Sequence, residues 1–242
     1  MENITIGIEG LVGAGKTSIC RELLDLIPNS IILHGGNLYR GIVYAISNSG
    51  INLKQIMQNK DEMHHLDIKQ LMEKLQVELK IEDRESVVYI AGRKIDEDDL
   101  QSDENSIAVS TIAGNADNSK FYTFGKTLID MYKKQFNLII SGRDLMKIYP
   151  ELDYHFFIIA DLDIRVERKA KQYEEYEKAD KNMNHISKEE LKKHIEARDK
   201  LQEEAGYYRR YDKTEDIDVS DCKSAKESAQ KVYRRIFDGI CK

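Results

Sequence analysis

Cysteine and proline are scarce in this chain, and no long apolar run interrupts it. The three cysteines, Cys20, Cys222 and Cys241, are odd in number and widely spaced, which argues against a disulfide framework or a zinc site and fits a reducing cytoplasm. The two prolines, with no repeat and no low-complexity linker, mark no boundary between independent domains. The longest apolar stretch, around Phe156–Ala160, is too short to span a bilayer, and we expect no secretory signal. We therefore expect a cytoplasmic protein with a single domain over residues 1–242.

The charge balance limits the partners. The formal net charge is −6, so no overall electrostatic field favours nucleic acid or an anionic membrane surface, although a local basic site for phosphates is compatible with it. Hydrophobic residues make up 41% of the chain and charged residues 33%, which is typical of a globular protein with a sizeable core. We expect neither nucleic acid nor membrane as a partner, and a monomer is favoured.

The most informative segment is Gly10–Thr17, GLVGAGKT, which fits the phosphate-loop pattern G-x-x-x-x-G-K-[ST] at every fixed position. An apolar run at Ile4–Ile8 predicts a buried strand before it, and Ser18–Ile27 has the apolar spacing of a helix. Glycines let the backbone turn tightly and aim its N–H groups at an anion, and the helix N-terminus adds partial positive charge. In this pattern Lys16 reaches the β- and γ-phosphates, and the Thr17 hydroxyl holds Mg²⁺. The residues predicted to bind ATP are Gly10, Leu11, Val12, Gly13, Ala14, Gly15, Lys16, Thr17 and Ser18.

Five short apolar runs predict buried parallel strands, because strands covered on both faces show continuous rather than alternating hydrophobicity. These runs are Ile4–Ile8, Ile31–Leu33, Leu138–Ser141, Phe156–Ile159 and Ile217–Val219, and helical segments separate them. The pattern predicts a three-layer α/β fold, in which a five-stranded parallel sheet carries helices on both faces.

The segment Glu73–Ile95 departs from this rhythm. Its apolar and charged residues alternate around a polar turn at Asp83–Glu85, which predicts a β-hairpin or a small antiparallel sheet inserted between core elements. The polar segment Leu53–Leu75 before it is predicted to be helical. It contains His64 and His65, which lack a third ligand at metal spacing and are typical of a solvated helix face.

A second unusual region, residues 162–206, is dense in charge. Arg165, Arg168 and Lys169 are spaced to share one face of a helix, and Ser187 forms a capping box with the glutamate three residues later, which starts a second helix. Charge alone fits an exposed hairpin laced with ion pairs. Because phosphoryl transfer needs cations beyond the loop lysine, we expect a helical lid whose basic stripe can close over a triphosphate.

Two further motifs carry a resemblance. Ser141–Asp144, SGRD, follows a predicted core strand, and Leu38–Arg40, LYR, follows the second strand. With the phosphate loop and the arginine-bearing hairpin in the same order, the chain resembles the bacterial cytidylate kinase family over nearly its whole length. The resemblance implies a P-loop kinase fold in which residues 51–105 form an inserted subdomain that binds the acceptor nucleotide and residues 162–206 form the lid. It also implies phosphoryl transfer from ATP, with Mg²⁺, to a nucleoside monophosphate, CMP or dCMP.

The resemblance also implies roles for individual residues. Arg40 matches the arginine that holds the acceptor phosphate, and Arg198 with Asp199 matches the start of a second lid motif. The residues implied to bind the acceptor are Tyr39, Arg40, Ser110, Arg143, Asp144 and Arg198. The residues implied to act in catalysis are Lys16, Arg143, Asp144, Arg165 and Arg168.

The chain departs from the family pattern in the acceptor site. The family's D-[ST]-G is His34–Gly36 here, and the leading aspartate of its D-G-R-D is Ser141. An arginine expected before the next helix appears only as Ser119–Lys120, and the arginine and aspartate expected after Asp199 are missing from Lys200–Glu204. Hydrogen-bonding partners for a base set most polar discrimination, so these departures bear on the base preference rather than on the fold.

Glu9, directly before the phosphate loop, leaves the acceptor class open. An I-E-G sequence at this place also resembles deoxynucleoside and thymidylate kinases, and a nucleoside attacks through a hydroxyl that benefits from a carboxylate base. A monophosphate needs no base, and Glu9 would then lie in the outer shell of Mg²⁺ or serve as a strand-end acid. Two alternatives therefore stand beside a nucleoside monophosphate kinase. One is a kinase for a nucleoside or other small acceptor with Glu9 as base, and the other is a non-catalytic nucleotide-binding protein.

Overall fold

The computed structural model describes residues 2–49, 68–96, 99–100, 105, 119–179 and 186–238. The chain divides into two compact units, of which unit 1 comprises Met1–Ile4 and Asn29–Glu151, and unit 2 comprises Thr5–Pro28 and Leu152–Lys242. His64, His65 and the first part of the predicted helix over Leu53–Leu75 lie outside the described residues. The assignment of residues 51–105 to an inserted subdomain and of residues 162–206 to a lid stays a prediction.

The described residues form an α/β fold with mostly parallel strands, as the sequence predicts. The strands are β1 Thr5–Gly10, β2 Ser30–His34, β3 Val77–Glu82, β4 Glu85–Ile90, β5 Arg93–Lys94, β6 Asn137–Ser141, β7 Tyr154–Ile159 and β8 Thr214–Asp218. The helices are α1 Lys16–Leu26, α2 Gly35–Asn48, α3 Ile68–Leu75, α4 Ser119–Lys133, α5 Leu145–Ile148, α6 Leu162–Ala179, α7 Lys188–Glu204 and α8 Ala225–Phe237.

Unit 1 contains the strands β3, β4, β2 and β6 in that order, with β5 paired to β4. β2 and β6 run parallel and in register up to their last residues, where His34 lies opposite Ser141. β3 and β4 form the predicted antiparallel hairpin, with Asp83 and Arg84 in the left-handed region at its turn.

The hairpin also joins the parallel strands of unit 1, which the sequence does not predict. β4 runs parallel to β2, and the Ile32 N–H donates to the Arg84 carbonyl oxygen at 2.8 Å. The Arg84 guanidinium in turn donates from Nε to the Ser30 carbonyl oxygen at 3.0 Å. The apolar face of the hairpin packs on α2 and α3, in a core cluster of Leu38, Ile42, Ala45, Ile46, Met72, Val77, Val88, Ile95 and Leu100. The hairpin is therefore anchored both by this core and by β2.

Unit 2 contains β1, β7 and β8, which run parallel in that order. Ile6, Ile8, Phe157 and Ile158 have no exposed surface, which accounts for the continuous apolar runs that predict these strands. The β1 strand leads directly into the phosphate loop and α1, which packs on α8. In the described part of the chain no helix is long and apolar enough to cross a bilayer, and the cytoplasmic location stays a prediction.

Candidate active site

The phosphate loop follows β1 in unit 2 and depends on glycine at three places. Gly10, Gly13 and Gly15 have φ angles of +149°, +77° and +91°, which side-chain-bearing residues adopt at a cost. Gly10 also lies against β7, and a Cβ there would be 2.3 Å from the Ile158 carbonyl oxygen. The glycine pattern of the sequence is therefore required by the backbone path of this loop.

The N-terminus of α1 presents the chemistry that binds phosphate. Gly15 is the N-cap and makes no side-chain cap bond, and the first turn of this eleven-residue helix contains no acidic residue. Its first N–H groups and its dipole therefore favour an anion. Lys16 Nζ lies over the loop and donates to the carbonyl oxygens of Gly10 at 2.9 Å and Leu11 at 2.8 Å.

Thr17, the predicted metal ligand, follows Lys16 in the first turn of α1 and is half-buried. Among the described residues no group of three or more histidine, cysteine or acidic side chains forms a metal cage. This is compatible with Mg²⁺, which is commonly held by one or two protein groups together with substrate phosphates rather than by a dedicated cage.

Arg165 on α6 contacts the loop at Val12. Its Nη1 donates to the Val12 carbonyl oxygen at 3.0 Å, and the same nitrogen pairs with Asp199 on α7. Asp199 in turn accepts the Val12 N–H at 3.1 Å and the hydroxyl of Tyr208. The guanidinium is buried, with the whole residue 7% exposed.

Arg168, one turn further along α6, contacts the loop at Ala14. It donates from Nη1 to the Ala14 carbonyl oxygen at 3.2 Å, and from Nη2 to the carbonyl oxygens of Val219 at 2.7 Å and Cys222 at 3.3 Å. Burial lowers the pKa of Arg168. Arg165 and Arg168 thus lie at the phosphate loop as the basic stripe predicts, but they contact its carbonyl oxygens. Their contact with a transferring phosphoryl group stays a prediction.

The second half of the predicted lid is also helical. The capping box that begins α7 is present in both directions: the Ser187 side chain accepts from the Glu190 N–H, and the Glu190 side chain accepts from the Ser187 N–H. Arg198 lies on α7 with its side chain exposed, and its predicted contact with the acceptor is not tested by this arrangement.

Glu9 is buried beneath the loop and is 3% exposed. Its Oε2 lies 3.2 Å from Nε2 of His155 on β7, and His155 Nδ1 lies 2.9 Å from the Thr214 hydroxyl on β8. A general base must reach the proton that it abstracts, and this buried carboxylate is bonded to a buried imidazole. The geometry therefore favours the strand-end role of Glu9 over the role of base.

Unit 1 contains the residues predicted to bind the acceptor other than Arg198, which lies on α7 in unit 2. Asp144 follows β6 in the left-handed region, with φ 55°, and is buried. Its carboxylate is fixed on both oxygens, because Oδ2 accepts the Tyr122 hydroxyl at 2.6 Å and Oδ1 lies 2.8 Å from Lys147 Nζ. Such backbone strain in an aspartate costs about 1–3 kcal/mol and is common at functional sites.

Arg40 and Arg143 lie on the same unit as Asp144. Arg143 is half-buried, and its Nη1 donates to the Gly142 carbonyl oxygen at 3.2 Å. Arg40 lies on α2 next to Tyr39, and its own carbonyl oxygen accepts from Asn105 Nδ2 at 3.2 Å. Ser110, the remaining predicted acceptor residue, lies outside the described residues.

The two strand-end departures from the family pattern are neighbours. His34 ends β2 and Ser141 ends β6, and the two are register partners. His34 Nε2 pairs with Glu85 Oε2 on β4 at 2.8 Å, and the His34 N–H donates to the Ser86 hydroxyl at 2.8 Å. A carboxylate therefore lies beside the position at which the family has aspartate, but it comes from the hairpin.

Several contacting residues were not found from the sequence. They are Glu85, Tyr122, His155 and Tyr208, together with the contact of Asp199 to the loop. Each is joined to its partner through the fold, and no local motif or periodicity contains that information.

A glycine loop between a parallel strand and a helix, with Lys16 and Thr17 at the start of the helix, defines a P-loop nucleotide-binding protein. The chain belongs to the cytidylate kinase family, whose model matches residues 6–240. It is 28% identical over 203 residues to the cytidylate kinase of Leuconostoc mesenteroides, covering 82% of this chain and 80% of that protein. It is 25% identical over 198 residues to that of Thermotoga neapolitana, covering 80% and 78%.

Among solved structures, a Thermus thermophilus protein designated TT1252 aligns with 98% of this chain and 99% of its own, at a TM-score of 0.47 and 16% identity. A likeness of this size adds nothing to the family assignment. Family membership makes the protein a kinase, supports a nucleoside monophosphate as the class of acceptor, and supports dependence on ATP at the level of the family. The non-catalytic alternative is therefore set aside.

Proposed function

We propose that this protein transfers the γ-phosphoryl group of ATP to CMP or dCMP, with Mg²⁺ as the metal ion. The observation that carries the proposal is the complete phosphate loop at the N-terminus of α1, which has no side-chain cap bond, in a chain that matches the cytidylate kinase family from residue 6 to residue 240. The loop accounts for binding of the phosphate donor, and family membership supports a nucleoside monophosphate as the acceptor.

The donor half of the proposal rests on unit 2. Residues 10–18 bind the phosphates through backbone N–H groups, Lys16 supplies the cation for the β- and γ-phosphates, and the Thr17 hydroxyl is a ligand of Mg²⁺. The chemistry that a metal ion held there would supply is neutralisation of negative charge on the phosphates. Two features of the loop fit a bound polyphosphate: the positive φ angles of Gly13 and Gly15, and the absence of acidic side chains from the first turn of α1.

The acceptor half rests on unit 1. Arg143 and Arg40 hold the acceptor phosphate, because guanidinium forks bind phosphate oxygens bidentately. Asp144 contacts the acceptor or the water shell of the metal ion, and Tyr122 and Lys147 fix its orientation. The resemblance also implies Tyr39, Ser110 and Arg198 as acceptor contacts, the last of them from unit 2.

The alternative of a nucleoside acceptor requires a base, and Glu9 is the residue proposed for it. The carboxylate of Glu9 is buried and hydrogen-bonded to His155, which argues against proton abstraction from a substrate hydroxyl. A monophosphate acceptor attacks through an ionised oxygen and needs no base, so the buried Glu9 is compatible with it.

The test is an acceptor panel with ADP release as the readout. The panel contains the ribo- and deoxyribonucleoside monophosphates of all bases and the matching nucleosides, each with ATP and Mg²⁺. We expect ADP release with CMP or dCMP, none with nucleosides, and release slowed by about 10²–10³ in Lys16→Ala. Phosphorylation of a nucleoside but of no monophosphate would show that the acceptor class is wrong and would return Glu9 to consideration as a base.

A further inference from the structure

The phosphate loop is held at one residue, Val12, by side chains of α6 and α7. Val12 donates its N–H to Asp199 on α7, and its carbonyl oxygen accepts from Arg165 on α6. Its side chain is buried in an apolar cluster with Val166, Ala170, Leu191 and Ile195 of the same two helices. Backbone and side chain of Val12 are therefore both held by α6 and α7, within unit 2.

Asp199 is the centre of this arrangement. It collects donors from Val12 N, Arg165 Nη1 and the Tyr208 hydroxyl. Hydrogen bonds to an ionised acceptor are roughly twice as strong as neutral ones. Because Val12 lies between Gly10 and Gly13, these bonds restrain the segment of the loop whose path must be correct for phosphate binding.

The negative charge of Asp199 lies beside the proposed phosphate site and needs a neighbouring positive charge to balance it. A carboxylate beside a polyphosphate site repels the anion unless a cation balances it. Arg165 supplies that cation, and the pair is largely buried, with Arg165 and Asp199 side chains 8% and 18% exposed. The pair can therefore hold the loop without adding net negative charge to the donor site.

We propose that Asp199 is a positioning residue of the donor site, which acts on ATP through the backbone of Val12, and that Arg165 balances its charge. The inference rests on the proposed function, because it concerns the same phosphate loop. The sequence resemblance places Asp199 at the start of a second lid motif, whereas its observed contact is with the phosphate loop.

This arrangement couples the loop to α7. If the contact between Asp199 and Val12 favours the loop conformation that binds ATP, then by thermodynamic linkage bound ATP strengthens that contact by the same factor. Loss of the contact should therefore appear in ATP affinity and leave acceptor affinity unchanged.

The test measures binding of Mg·ATP to the full chain by titration calorimetry, alongside the KM of the acceptor. Asp199→Ala should raise the Kd for ATP about tenfold, as expected for a lost hydrogen bond to a charged group, with the acceptor KM within about twofold of wild type. Tyr208→Phe, which removes only the hydroxyl donor, should raise the Kd for ATP by about threefold. Glu203→Gln removes a negative charge from the exposed face of the same helix and is the matched control, with no change in either value.

A double variant separates the positioning role from a merely structural one. Arg165→Ala alone leaves the Asp199 carboxylate buried and uncompensated, so it should weaken ATP binding more than Asp199→Ala. Adding Asp199→Ala to Arg165→Ala should recover part of that loss, whereas an Arg165 that contacts the phosphates directly would give no recovery.

An unchanged ATP Kd in both Asp199→Ala and Tyr208→Phe overturns the inference, as does an equal rise in the ATP and acceptor constants. If Asp199→Ala does not fold, Tyr208→Phe carries the test. A wild-type protein that does not bind ATP at all would overturn the proposed function, and this inference with it, and is distinguishable from the first result.

Discussion

Replacing Gly10 with alanine tests whether the phosphate loop depends on a close approach between its first residue and β7. An added Cβ would lie 2.3 Å from the carbonyl oxygen of Ile158 and 2.7 Å from its nitrogen. Both are backbone atoms, so no change of rotamer relieves the contact. The φ angle of +149° is also one that side-chain-bearing residues rarely adopt.

The two effects add to a measurable loss of stability. Backbone strain of this kind costs about 1–3 kcal/mol, and overpacking in a rigid environment costs about 1–3 kcal/mol more. The free energy of unfolding should therefore fall by about 2–6 kcal/mol. For a chain of this size that corresponds to a fall in melting temperature of roughly 4–24 °C, measured by circular dichroism without nucleotide.

Two glycines provide matched controls. Gly15 has a φ angle of +91° but no atom within 4 Å of an added Cβ, so Gly15→Ala should show the strain alone, about 1–3 kcal/mol. Gly36 lies in the first turn of α2, also with no atom within 4 Å, and alanine there should leave the melting temperature unchanged or slightly raised. A Gly10→Ala protein that melts together with Gly15→Ala would refute the argument from the contact with Ile158.

Three further predictions concern the donor, the acceptor and pH. Lys16→Ala should lower kcat with ATP by about 10²–10³ through lost electrostatic stabilisation while the protein stays folded, and near-normal turnover would rule out the phosphate-loop mechanism. Arg143→Lys should raise the acceptor KM and leave the Kd for ATP nearly unchanged in steady-state and binding assays, because a point charge does not reproduce a guanidinium fork; equal effects on both would contradict the assignment. Hydrogen bonds from Ser220 lower the pKa of Asp218, so this group stabilises the fold above the ordinary aspartate pKa, and that stability is lost as the pH falls through the lowered native pKa. In urea unfolding, the difference between wild type and Ser220→Ala should be complete above about pH 4 and shrink below it, and a difference that grows in acid would contradict the sign.

The fold was largely predictable because its strands are buried and apolar. The five predicted strands are all present, and the hairpin forms around the predicted turn. The boundaries differ most at β8, which begins at Thr214 rather than at Ile217. Its first three residues are polar and partly exposed, so they give no apolar signal. The pairing of β4 with β2 was not predictable, since no property of either segment alone specifies it.

In the candidate site, too, the features within one contiguous segment were predictable, and the contacts between residues far apart in the sequence were not. The phosphate loop is a contiguous segment, and its glycines, Lys16 and the start of α1 lie where the motif predicts them. The contact of Val12 with Asp199 joins residues 187 positions apart, and that of Glu9 with His155 joins residues 146 apart. The spacing of residues within one helix or strand does not indicate which distant residues they contact. For this reason the arginines of α6 were predicted to lie at the loop, but their carbonyl partners were not.

The departures at His34 and Ser141 affect the same place in the fold, because the two residues are register partners at the ends of β2 and β6. The family pattern has an aspartate at each of these two positions, and here they are a histidine paired with Glu85 and a serine hydroxyl. The chain therefore has less negative charge at this strand end, and its sequence also lacks some of the family's arginines near the acceptor. Fewer carboxylates reduce the repulsion of a phosphate dianion, which offsets the missing cations. In the proposed site, binding of the acceptor phosphate would depend on this net balance and on the guanidinium groups of Arg40 and Arg143. Recognition of the base depends instead on individual hydrogen-bonding partners, so it is the base preference, rather than the reaction, that these substitutions should alter.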